Sequence, residues 1–276
     1  MPGIASLPFA LLLLACEFAI GTQLCLFAMD LRGTVPPGLL RTGGALAVLA
    51  TTLGVWIAAS VPLLTAIDGY ALEPRYLQVA RIALVLMLLL SIACAGAIWA
   101  ARRTVELVTA AAAALAAFAI LGLLAAAVST PTWSYLGTLS SLLAGSLAIG
   151  GVTLAMILGH WYLVTPRLPE RPLNEMTLAL LGVIALQAVL LVANVIGLAP
   201  SGHMLSITGI ALAQNPAFWL RIGVGFGLGG LLTFMAWQSS RARGMMSATG
   251  LLYLATGAVL AGQALACALL FTTAIP

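Results

Sequence analysis

Few residues in this chain can do chemistry, and two stand apart. Glu17 lies inside an apolar run, LLLLACEFAIGTQLCLF, about halfway along it. A carboxylate in that setting is costly unless it is protonated, paired or facing an aqueous cavity, and intramembrane acids are functional sites by default. The null alternative is a protonated carboxyl that bonds a neighbouring backbone carbonyl and acts only as glue between helices. His160 is one of two histidines and stands in LGHWYLVTPRLPERPL, residues 158–173. Imidazole exchanges protons near neutral pH, so it suits a proton relay or a hydrogen bond to a bound ring. An interfacial side chain and an axial haem ligand are the other readings. Ligation of haem by both histidines is disfavoured, because His203 falls in a loop on the opposite side.

These residues must be positioned by helices in a bilayer. The chain has 276 residues, 63% of them hydrophobic and 7% charged, with a mean hydropathy of +1.16. That composition has too little polar surface to clothe a water-soluble globule. Apolar runs long enough to cross a hydrocarbon core of about 30 Å fall at 6–29, 43–67, 78–100, 105–128, 135–164, 175–199, 217–239 and 245–273. The expectation is an all-α integral membrane protein with eight transmembrane helices. A β-barrel would need short alternating segments, which are absent from the sequence. The first run lacks a basic flank and reads as a spanning helix, not a cleaved signal. Cys16, Cys25, Cys94 and Cys267 lie within spans without metal-ligand spacing, as buried structural thiols do. No metal is expected in the chain.

The net charge of +4 rests on arginine, since there is no lysine. Arg32 and Arg41, Arg102 and Arg103, Arg167 and Arg171, and Arg241 and Arg243 follow the first, third, fifth and seventh spans. The positive-inside rule puts these four loops in the cytoplasm. Both termini then face the periplasm of a bacterial inner membrane. The same rhythm suggests duplication. LLACEFAIGTQLCLFAMD in the first span and LLAGSLAIGGVTLAMILG in the fifth share Leu-Leu-Ala and Ala-Ile-Gly in register. Arg81-Ile82 to Trp99 in the third matches Arg221-Ile222 to Trp237 in the seventh. Two parallel four-helix units, 1–128 and 135–276, are therefore expected.

Gly21, one turn from Glu17, leaves room for a ligand or a helix. In RIGVGFGLGGLL, Gly223 and Gly227, like Gly225 and Gly229, are spaced for close backbone packing, and a flat ligand against Gly225 is the other use of such a face. Gln23, Gln187, Asn194, Gln238 and Gln263 are amides inside spans. Gln187, Asn194 and Gln263 are placed where they could line one polar cleft with Glu17. Arg81 and Arg221 begin equivalent helices and either snorkel to lipid phosphate or close the mouth of a pocket. The outer loops 68–77 and 199–217 are too short for a domain. Loop 165–174, stiffened by Pro166, Pro169 and Pro172, is the expected docking edge for a partner.

No Walker motif, dinucleotide fingerprint, zinc motif or catalytic serine set occurs, and no soluble module is present to bind nucleotide or nucleic acid. The eight-helix pattern with both ends outside, WLRIGVGFGL in the seventh span and LLYLATGAVLAGQALACALLF in the eighth resemble the membrane anchors of polysulfide and dimethyl-sulfoxide reductases, the NrfD-type family. Those anchors carry Leu-x-Gly-Glu where this chain has Leu260-Ala261-Gly262-Gln263, and the histidine some members have after the second span has no counterpart within 60–64. The resemblance implies a quinone-interacting or proton-conducting subunit without its own metal, served by an iron–sulfur or cytochrome partner. On that reading Glu17 and His160 are the reactive groups, and Gly21, Gln187, Asn194, Arg221, Gly225 and Gln263 line the quinone site. A secondary transporter and a structural or assembly subunit are the alternatives.

Overall fold

The computed structural model describes residues 5–33, 35–165, 168–198 and 212–276. Eight helices are long and apolar enough to span a membrane. They are α1 (Leu7–Arg32), α2 (Pro37–Ser60), α3 (Pro74–Trp99), α4 (Arg103–Val128), α5 (Tyr135–Val164), α6 (Arg171–Leu198), α7 (Pro216–Arg241) and α8 (Met245–Thr273). In hydrocarbon every backbone group must be bonded within the protein, and a helix achieves this inside one segment. Prolines open α1, α2, α3 and α7, where the missing N–H is not needed. Ser134 and Asn215 cap α5 and α7 by accepting from the amides of Gly137 and Ala217.

The second helix begins and ends about seven residues earlier than hydropathy predicts. Pro36-Pro37 starts it, and Pro62 forces Val61 into extended backbone (φ −83°, ψ 131°). The apolar residues after Pro62 therefore leave the helix and form a small hairpin, β1 (Ala66–Ile67) against β2 (Tyr70–Ala71). Tyr70 anchors the hairpin by donating to the Val128 carbonyl and packing edge-on to Phe271 at 5.2 Å. α7 also departs from the expected regular helix. Residues Arg221–Leu228 form a π-helix, in the stretch where glycine alternates.

The helices pack in two rings. α1 touches α2, α2 touches α3, α3 touches α4, and α4 returns to α1; α5 to α8 repeat the same order. The rings meet chiefly along α1 and α5, the two most buried spans. Contacts of α1 with α8 mirror those of α5 with α4. Exchange of the halves thus maps the main contacts onto one another. At the centre of the α1–α5 crossing, Gly21 and Gly150 face each other so closely that a Cβ on either would overlap the other helix's backbone. These are the two glycines of the shared Ala-Ile-Gly.

Because the spans alternate in direction, the C-terminal ends of α1, α3, α5 and α7 share one end of the bundle, the arginine end. Arg32 and Arg171 both pair with Glu175, Arg103 pairs with Asp30 and Glu106, and Arg243 pairs with Glu170. Arg41 and Arg241 lie over Trp99 and Trp237, at 5.3 and 5.0 Å from the ring centres.

Candidate functional site

Glu17 sits on α1 one turn before Gly21, and the close α1–α5 crossing turns its carboxyl toward α5 and α8. The residue is 1% exposed. Its Oε2 accepts from Gln263 Nε2 at 2.8 Å and from the Cys267 thiol at 3.4 Å, both on α8. Gln263 Oε1 in turn accepts from Gln187 Nε2 on α6 at 3.0 Å. Three helices are joined by this chain of side chains, Gln187 to Gln263 to Glu17. Gly145 on α5 makes the space for it, since a Cβ there would meet Gln263 Nε2 and, at 2.9 Å, Glu17 Oε1.

The other carboxyl oxygen differs. Glu17 Oε1 is buried and has no hydrogen-bond partner among the described residues. A buried polar atom left unbonded costs on the order of 1–3 kcal/mol, so the fold carries this carboxyl at a penalty that a leucine would not incur. Arg221, 4% exposed at the start of the π-helix, is close enough for its charge to act on Glu17 and Cys267. It makes no ion pair with Glu17; its guanidinium donates to the Pro276 carbonyl at 3.4 Å from both Nη atoms and lies 5.8 Å from the Phe226 ring centre. Arg81, its counterpart in the first ring, likewise donates to a backbone carbonyl, that of Val61.

Of the residues that the sequence singles out, the structure therefore gathers Glu17, Gln187 and Gln263 in one hydrogen-bonded set with Arg221 nearby. It separates four others. Asn194 does not join the cleft expected with Glu17: its Oδ1 accepts from Trp133 Nε1 at 2.7 Å and its Nδ2 donates to Ser141 at 2.8 Å, so both ends are engaged at the start of α5, a turn or more before Gly145. Gly21 holds α5 and not a ligand. Gly225 is covered by Gly262 of α8, whose Cα would lie 2.9 Å from an added Cβ, so no flat ring fits between them. His160 is exposed near the arginine end of α5. It lies fifteen residues beyond Gly145, or roughly 22 Å along the helix, so it is not in contact with Glu17. His203, Pro166 and Arg167 fall outside the described residues.

Cys267 and Gly145 escaped sequence reasoning. The signal was there for Cys267, which follows Gln263 by one helical turn, but a thiol in a span reads as packing. Also missed was a cavity of ≈ 250 Å³ between α1, α5 and α6, lined by Cys25, Met29, Leu147, Gly151 and Val183 among others, with Arg32 and Glu175 at its mouth. Among the described residues no cluster of three or more His, Cys, Asp or Glu side chains is placed to hold a metal ion.

The fold and its buried polar set define a polytopic α-helical membrane protein. Comparison with protein-family models, curated proteins and solved structures gives no match, so the class is set by the helices themselves.

Proposed function

We propose that this chain is a membrane subunit of a redox complex that exchanges protons with a quinone, with Glu17 as the group that holds the proton. The observation carrying this reading is Glu17 Oε1, an unbonded carboxyl oxygen at the centre of a span, beside a carboxyl partner set of amide and thiol donors. Intramembrane carboxyls retained without full compensation mark proton and substrate routes. The resemblance of the sequence to NrfD-type anchors supports the choice of a quinone, and on this reading an iron–sulfur or cytochrome partner delivers the electrons. The arginine end is the face offered to that partner. Tyr162 stiffens it by donating to the Pro169 carbonyl.

A second reading, an assembly subunit, is favoured by a different observation. Gly21 with Gly150 and Gly225 with Gly262 bring backbones into contact, and Glu17 Oε2 bridges α1 to α8 as helix glue would. Glu17→Gln separates the two. The amide keeps the shape and the hydrogen bond to its neighbours, so assembly is unchanged in either case. Quinone-linked proton uptake in membranes is lost if Glu17 holds the proton. Uptake equal to that of the unaltered chain would leave the assembly reading standing.

A further inference from the structure

The two rings differ beside the α1–α5 crossing, and the difference makes a site. On one side of the α1–α5 crossing, α2 packs onto α5: Leu154 lies against Gly43, and the Trp161 ring covers Gly38. The repeat in register, Gly21 with Gly150, makes Cys25 the counterpart of Leu154 and Arg32 the counterpart of Trp161. On the other side, then, a thiol stands for an isobutyl group and a guanidinium for an indole. α5 adds Gly151 where α1 has Thr22. Smaller side chains leave the space between α1 and α6 unfilled, and it is there that the ≈ 250 Å³ cavity opens.

The chemistry of this cavity is graded. Its walls are apolar, with Met29, Leu147, Met176, Leu180 and Val183 facing inward. Its mouth holds Arg32 and Glu175, and a shallow depression just outside shares them and adds Arg171. Glu175 alone answers both arginines, at 2.9 and 2.6 Å. Two cations with one carboxylate leave a net positive charge at headgroup depth, directly above an apolar slot. Basic pockets between spans attract anionic lipid heads at about 1 kcal/mol per arginine, roughly fivefold in affinity.

We propose that the α1–α6 cavity is a binding site for an anionic phospholipid of the bilayer, its acyl chain beside Cys25 and Gly151 and its phosphate between Arg32 and Arg171. The site is independent of Glu17 and of the quinone reading. One acyl chain enters; the other stays in the membrane along Leu178 and Ala179, which line the outer depression.

The test uses the full chain purified in mild detergent, with bound lipid read by native mass spectrometry after addition of phosphatidylglycerol or phosphatidylcholine. Phosphatidylglycerol should be retained about 25-fold better, as expected for two arginines at roughly fivefold each. It should also slow alkylation of Cys25, the one cysteine of the four that is not fully buried. The double variant Cys25→Leu, Arg32→Trp copies the packed side of the repeat into the open one and should abolish the preference. Arg32→Gln, which leaves the cavity unfilled, should reduce it about fivefold and guards against a misfolded double variant. Equal retention of the two lipids, an undiminished preference in Arg32→Gln, or Cys25 alkylation unaffected by phosphatidylglycerol would overturn the proposal. So would displacement of the lipid by inorganic phosphate alone, which would make the mouth a site for a free anion.

Discussion

At the residue scale the informative atom is Glu17 Oε1. The sequence shows that an acid lies in the first span, but not that one oxygen takes two donors while the other takes none. Beyond the test by Glu17→Gln, Gln263→Leu should act on the same set differently. It removes one of the two donors to Oε2 and the acceptor for Gln187 together, leaving Oε2 with the Cys267 thiol alone and Gln187 Nε2 buried without its partner. A loss of about 1–3 kcal/mol follows for that one group, read as a lower melting temperature in detergent. Gln263→Glu would set two carboxyls against each other; like acids sharing one buried site disfavour double ionisation. Its expected signature is quinone-linked turnover that falls as the pH is raised, with expression unchanged. A flat pH response would argue against Glu17 as the proton holder.

At the scale of elements, glycine decides which helices meet. Gly21 and Gly150 were legible as a shared motif, yet their mutual contact required the crossing of α1 over α5. Gly21→Ala places a methyl in the Ser146 carbonyl of the facing helix, and backbone cannot yield as a side chain can. Overpacking of this kind costs typically about 1–3 kcal/mol. Gly151→Ala is the matched control, because its nearest neighbours, Cys25 Sγ and a Leu180 methyl carbon, stand at an ordinary 3.8 Å. Thermal unfolding of both variants should show a clear loss for the first and almost none for the second. Equal melting temperatures would mean that the α1–α5 seam is not the tight joint of the molecule. The start of α2 teaches a related lesson: hydropathy slid the span over Val61–Ile67, whereas proline geometry ended the helix at Ser60.

For the whole molecule, the two rings and the arginine end make separate predictions. Each ring closes on itself, α4 on α1 and α8 on α5, and the rings share the long α1–α5 seam. A chain divided within 129–134 should therefore reassemble when its halves are produced together, and a tag on one half should recover the other. Failure to recover it would show that the connection, including the Trp133 to Asn194 bond, is needed to align the rings. Orientation is tested by labelling. With the four native cysteines replaced, Arg102→Cys, at an exposed position on the arginine end, should react only with reagents admitted to the cytoplasm. Reaction from outside would invert the topology and move the anionic-lipid site to the other leaflet.

The sequence by itself determined the membrane class, the number of spans, the arginine end and the residues worth suspecting, because transfer of apolar segments and placement of cations are local properties of the chain. Its register also carried the equivalence of Gly21 and Gly150 in the two halves. Tertiary structure alone decided which suspects meet. Gln187 and Gln263 reach Glu17 because α6 and α8 flank α5 there, while Asn194, seven residues further along α6, is taken by Trp133 and Ser141. His160 ends on the exposed side of its helix, far from the acid. The α1–α6 cavity was not visible in any single segment, since it arises from a difference between two packed faces. Hydropathy reads each helix against lipid; only the packing of helix on helix tells which polar atom is left without a partner and which space is left without a side chain.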